Sequence, residues 1–224
     1  MIVTLPDLLD EPTLQAVRQA LAGAPWQDGK SSAQGKAREA KHNLVVPLED
    51  AASVSAGRRV LERLSQHDGF RAAALPKVIM PLKFCRYDVG MGYGDHLDLP
   101  LMGTATGGIR TDISATVFLS DSADYEGGDL VFESDYGTQR VRGKAGEAVL
   151  YPASTLHRVE PVTRGSRLVA ITWIQSLVRD AAKRRIVFDL AQVATALDAA
   201  GNHDDHARTV RQSQFNLLRL WAEQ

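Results

Sequence analysis

His96 and Asp98 stand two residues apart in the run Gly-Tyr-Gly-Asp-His-Leu-Asp at 92–98. On an extended strand that spacing puts both side chains on one face. His157, about sixty residues later, supplies a third donor. Two imidazoles and one carboxylate suit a divalent transition metal, ferrous iron above all. They leave coordination positions open for dioxygen and a second reactant. Ten residues further on, Arg167 offers a guanidinium fork of the kind that grips a carboxylate through two parallel hydrogen bonds. Together the four residues predict an oxidative iron centre supplied by a carboxylate-bearing co-substrate.

A His-x-Asp pair alone is weak evidence, and its neighbours strengthen it. Gly90, Gly92 and Gly94 permit tight backbone geometry just before the pair, and Tyr87 and Tyr93 bring phenols close. A turn at 163–166 would lay the strands of His157 and Arg167 antiparallel side by side, with the guanidinium reaching along the inner face if the register allows. The bland alternative for Arg167 is a surface salt bridge, a role that Arg158, Arg164 and Arg179 fit better. His203-Asp204-Asp205-His206 could be a second metal cluster, but its place after Gly201-Asn202 favours capping of a helix. His67-Asp68-Gly69 reads as a turn, His42 has no matching partner, and Cys85 reads as core. No phosphate-cradling Gly-x-x-x-x-Gly-Lys-Ser/Thr run is present, and Glu126-Gly127-Gly128-Asp129-Leu130 reads as a turn entering a strand.

The elements that must position these residues change type along the chain. Leu14, Val17 and Leu21 recur at helical spacing over 10–22, with Asp10 as N-cap, and Val54, Val60, Leu61 and Leu64 do so over 50–66. The polar stretch 28–42 reads as a surface loop. From 77 onward, short runs rich in Val, Ile, Phe and Tyr alternate with Gly-, Pro- and Asp-rich connectors. They predict strands over 77–87, 112–119, 129–133, 139–142, 148–151, 158–162 and 167–175. Loop 99–111 is either a lid over the metal or a plain surface loop. After 178, Ile186, Leu190, Val193 and Leu197 form one helical stripe; Val210, Leu217, Leu218 and Trp221 form part of a second. The expected architecture is mainly β with flanking helices (α+β). Its parts are an N-terminal helical support region (1–76), a closed jelly-roll core (77–177) and a C-terminal helical pair (178–224) packed on the core or on a second subunit.

The 224 residues are 44% hydrophobic and 24% charged, with a net charge of −1, so no global field points to nucleic acid or an anionic membrane. No apolar run approaches the roughly 18 residues that span a bilayer. Cys85 is the only cysteine, which precludes an intrachain disulfide and suits a reducing compartment. The start of the chain lacks a basic leader and a long apolar run, so a cytoplasmic location is expected.

Beyond these readings, the chain resembles the prolyl/lysyl-hydroxylase-type branch of the Fe(II)/2-oxoglutarate-dependent dioxygenases. More closely, it resembles the bacterial PKHD-type hydroxylases associated with iron uptake (the PiuC-like group). The resemblance rests on Arg86-Tyr87, Gly90, Tyr93 and His96-Leu97-Asp98, then Glu126-Gly127-Gly128-Asp129-Leu130 and Gly146-Glu147-Ala148-Val149-Leu150-Tyr151-Pro152. It continues through Leu156-His157-Arg158-Val159-Glu160-Pro161-Val162 and Gly165-Ser166-Arg167-Leu168 to Trp173-Ile174-Gln175.

It implies a double-stranded β-helix with Fe(II) held by His96, Asp98 and His157, and the distal carboxylate of 2-oxoglutarate held by Arg167. Tyr87 matches a position that hydrogen-bonds the co-substrate in relatives, and L-ascorbate is the expected reductant. Collagen-type prolyl hydroxylases carry lysine where this chain has Arg167, so collagen-like substrates do not follow. Some relatives add a tyrosine from the strand at 112–119; here the nearest residue is Phe118, so that contact is either absent or replaced, with Thr116 the candidate. The implied reaction is hydroxylation of an unidentified protein side chain or small molecule, with O2 consumed and 2-oxoglutarate decarboxylated to succinate. The competing readings are a non-enzymatic iron-binding or iron-responsive protein on the same fold, and a cupin-like hydrolase or isomerase with another metal. A homodimer through the C-terminal helices is a further expectation.

Overall fold

A computed structural model of the chain describes residues 1–32, 35–104, 107–135, 137–201 and 205–223. Strand Arg167–Ser176 lies in the middle of an eight-stranded sheet. Ile113–Phe118, Ala148–Pro152 and Val3–Leu5 follow on one side; Lys83–Tyr87, Leu44–Val45 and Gln27–Asp28 follow on the other. Pro76–Ile79 pairs with the end of the same central strand. A five-stranded sheet runs in the order Gly137–Val141, Leu130–Ser134, His157–Val159, Gly92–His96, Lys41–His42. Pairing throughout the described residues is antiparallel, and the two sheets close on each other as a jelly roll, the double-stranded β-helix expected.

Period-two alternation explains why the strands of the larger sheet read as nearly continuous apolar runs: both faces are covered. Along Ala148–Pro152, Ala148 and Leu150 face outward, while Val149 and Tyr151 face the smaller sheet. Phe84 likewise points out, and Cys85 and Tyr87 point in. The outward face is buried under helices Glu11–Ala22, Ala51–Gln66 and Asp68–Ala74, with Val17, Val60, Leu64 and Phe70 fully enclosed. Each such side chain contributes about 1.5–3 kcal/mol. Asp10 and Asp50 cap the first two helices through their side chains. His67 ends the second helix and caps the third, its Nδ1 accepting from the Phe70 amide at 3.2 Å.

Several expectations change. Within 28–42 the described residues form a 3-10 turn at Gly29–Ser32, a short helix at Gly35–Ala40 and strand Lys41–His42. With Gln27–Asp28 it closes an edge of each sheet, and two-residue strands are too short to show a hydrophobic period. The first 76 residues therefore supply strands as well as helices. The single strand expected at 77–87 is two, Pro76–Ile79 and Lys83–Tyr87, separated at Pro81, which has no amide hydrogen to donate to a ladder.

His157 and Arg167 are not on neighbouring strands. The chain crosses from the smaller sheet to the larger through Val162–Gly165, so the two side chains line the cavity from different sheets. In helix Ala181–Ala199 the buried residues are Arg184, Val187, Phe188 and Ala194, whereas Ile186 and Val193 are 46% and 47% exposed. The packed face is rotated from the stripe of largest side chains, and buried Arg184 on it donates through Nη1 to the Val178 and Arg179 carbonyls. Loop 99–111 forms a hairpin, Leu101–Thr104 with Gly107–Arg110, Ala105 and Thr106 lying outside the described residues. The cap expected from His203 and Asp204 also lies outside them; the last helix is described from Asp205 to Trp221.

Candidate metal centre

His96 ends strand Gly92–His96, and His157 begins the adjacent strand as its direct antiparallel partner. Gly92 makes that pairing possible, since a Cβ there would lie 2.9 Å from the Val159 carbonyl oxygen. The register brings the two imidazole centroids to 4.2 Å. Alternation past the strand end turns Leu97 outward and Asp98 inward, with Oδ2 of Asp98 4.0 Å from His157 Nε2. One donor atom from each of the three lies within 4.8 Å of the others.

Local backbone orients both rings. Nδ1 of His96 is 2.8 Å from the Gly94 carbonyl, and Nδ1 of His157 is 2.8 Å from that of Thr155. A carbonyl only accepts, so each Nδ1 carries the proton and each Nε2 presents its lone pair. Burial, aided by neighbouring His157, pushes His96 down to about 4, leaving it neutral, the form a metal requires. Tyr93 stacks on the His96 ring at 3.6 Å, and Ser114 Oγ donates to Asp98 Oδ2.

Arg167 approaches from the opposite sheet. It is 1% exposed, and its Nε and Nη1 have no hydrogen-bond partner among the described residues. Tyr87, directly opposite it in register, places its ring 5.2 Å from the guanidinium carbon, and Phe118 stands at 5.8 Å. Gly128, at φ +66°, packs on the Arg167 stem where a Cβ would come within 3.1 Å. The Gly-Gly turn thus helps to enclose the arginine. A cavity of about 180 Å³ joins the parts: His96, Asp98, His157, Arg167 and Tyr87 all line it. An anionic ligand, two unsatisfied guanidinium donors and three convergent metal donors fit one another chemically.

Several lining residues escape a reading of the sequence. Tyr151 Oη lies 3.5 Å from His157 Nε2, and burial raises its phenol well above the usual range, so it stays protonated. It brings a phenol to the side of the cavity where Phe118 has none, and Thr116 lines the same wall. Ser114, Lys41 and Lys83 are others; their place in the site depends on sheet closure. Cys85 is fully buried, with its thiol pushed up by burial, and belongs to the core.

Fold and site together define a class. Residues 82–175 match the 2OG-Fe(II) oxygenase superfamily. Among solved structures, the chain is similar to a Pseudomonas putida prolyl-4-hydroxylase (TM-score 0.53, 18% identity, 78% of this chain and 92% of that one). It is also similar to the non-haem α-ketoglutarate-dependent carbocyclase SnoK of nogalamycin biosynthesis (TM-score 0.56, 16% identity, 79% and 80%). At those identities the likeness concerns the fold.

Full-length relatives are more specific. A PKHD-type hydroxylase of Polaromonas sp. JS666 is 42% identical over 226 residues, and one of Thioalkalivibrio sulfidiphilus is 45% identical over 223, each covering 100% of both chains. The chain belongs to the PKHD-type hydroxylases: it is an Fe(II)- and 2-oxoglutarate-dependent oxygenase acting with O2 on a further substrate. Among the described residues, no helix is long and apolar enough to cross a membrane.

Proposed function

We propose that His96, Asp98 and His157 hold the iron and that Arg167 binds the distal carboxylate of 2-oxoglutarate. The observation that carries this reading is Arg167 itself: a buried cation with idle N–H donors, opening into the cavity of the three metal donors. Isolated burial of that charge is strongly unfavourable, and a carboxylate at the fork offsets it. Tyr87 flanks the fork and, with its phenol kept protonated by burial, donates to the same co-substrate. Ser114 holds Asp98 in place for the metal, and the two carbonyls behind the histidines fix their tautomers. Tyr151 supplies an O–H donor beside His157.

When bound, iron and 2-oxoglutarate together activate O2 and deliver hydroxyl to a C–H bond, with release of succinate and carbon dioxide. The chain's part is to hold both reactants side by side in one pocket. Ascorbate serves as reductant for the iron. The lone buried thiol suits the cytoplasm. Exposed Ile186 and Val193, two helical turns apart on one face, suit self-association through the C-terminal helices.

Anaerobic titration of the apo-protein with Fe(II) and 2-oxoglutarate tests the centre. A visible metal-to-ligand charge-transfer band is expected in the wild type and absent in His157→Ala. Iron binding without the band would overturn the assignment.

A further inference from the structure

Two lysines line the cavity that the iron centre and Arg167 leave partly unexplained. Lys41 comes from the edge strand of the smaller sheet and Lys83 from the larger, so the two approach the cavity from opposite walls. Lys41 is only 4% exposed, with its ammonium 5.3 Å from the centroid of Tyr93, the ring that backs His96. The Lys83 ammonium sits 5.2 Å from the centroid of Trp173, which lines the same space.

Formal charge shows what such a wall accepts. The cavity is lined by the cationic side chains of Lys83 and Arg167, by Lys41, whose ammonium burial pushes down and a bound anion would hold charged, and by one carboxylate, Asp98. Ferrous iron and doubly charged 2-oxoglutarate cancel each other, so their arrival leaves the wall's excess of positive charge in place. A neutral or cationic substrate would meet that excess at low dielectric, where it repels cations and attracts anions strongly. Leu99, Met102 and Trp173 supply apolar surface beside it.

Building on the proposed centre, we infer that the primary substrate carries a carboxylate held by Lys41 and Lys83, attached to an apolar body. Its source is either a small organic acid or an acidic residue of a peptide. Both lysines are specificity-determining residues: they select what reaches the iron and take no part in the oxidation.

The test uses full-length protein saturated with Zn(II) and N-oxalylglycine, which blocks turnover and fills the co-substrate position. Ligand-observed NMR then compares 3-phenylpropionate with 3-phenylpropanamide, and a blocked Phe-Asp-Phe tripeptide with its Phe-Asn-Phe counterpart. In at least one pair the acid is expected to bind about tenfold tighter or more, the scale of one charge-assisted hydrogen bond. That preference should fall in Lys83→Met and vanish when Lys41→Met is added. The pair showing it identifies the source.

Equal binding within both pairs, no binding of either acid by about 20 mM, a preference that survives loss of both lysines, or displacement of N-oxalylglycine by the acids would each overturn the inference. Retention of the Fe(II)–2-oxoglutarate band by the lysine variants shows that they fold. Loss of that band in the wild type would instead sink the centre itself, so the two failures are separable.

Discussion

A guanidinium shut away from water needs an anion, and Arg167 has none among the described side chains that reach its Nε or Nη1. Replacing it with methionine should therefore leave the apo-protein at least as stable as wild type, because an unfavourable buried charge is removed. The same variant should lose the rise in melting temperature that Mn(II) with 2-oxoglutarate gives the wild type. Its half-saturation for 2-oxoglutarate should increase by about 30- to 1000-fold, the scale of a broken buried charge pair. Differential scanning fluorimetry and succinate formation measure both, and a marked fall in apo stability would contradict the assignment. Ser114→Ala removes the hydroxyl that steadies Asp98 and should weaken iron binding by about 10- to 100-fold, read by competition with a chromogenic chelator. Unchanged affinity would mean that the carboxylate needs no such support. At this scale the sequence was most legible where spacing is covalent: His96 and Asp98 must share a face if their segment is extended. Lys41 and Tyr151 were not legible as site residues, because what they line depends on how two sheets close.

Elements were readable where periods are long and were misjudged where neighbours decide. The helices over 11–22 and 51–66 announced themselves through caps and repeating apolar positions. In the helix Ala181–Ala199, periodicity identified the element but not the face that packs on its own body, since Phe188 is 9% exposed while Ile186 is 46%. Phe188→Ala should accordingly cost about 3 kcal/mol or more, and Ile186→Ala no more than about 0.5 kcal/mol. Urea denaturation at low protein concentration, where self-association does not contribute, separates the two; similar costs would contradict the observed packing. The relation of His157 to Arg167 was misjudged for a different reason. A turn with Gly165 at φ +73° looks like a hairpin in sequence, but Val162–Gly165 pairs with Tyr125–Gly127, and the chain leaves for the other sheet.

For the molecule as a whole, alternating short strands with glycine-rich connectors made the jelly roll legible, but not the contribution of the first fifty residues to it. Val3–Leu5, Gln27–Asp28, Lys41–His42 and Leu44–Val45 lie at or next to sheet edges, and Glu11–Ala22 covers part of the larger sheet. A fragment spanning 50–224 retains every candidate iron ligand, yet it should show no cooperative thermal transition and little near-ultraviolet circular dichroism. A wild-type melt from that fragment would show these edges to be dispensable. The larger sheet is also a partition. Ala148 and Leu150 answer to the helices, Val149 and Tyr151 to the interior between the sheets where Tyr151 lines the cavity, and the two sets share backbone but not core cluster. Changes on opposite faces of one strand should then be nearly independent in their energies. Heat tolerance and chemical selectivity can drift separately in this lineage, each recorded in alternate letters of the same short stretch of sequence.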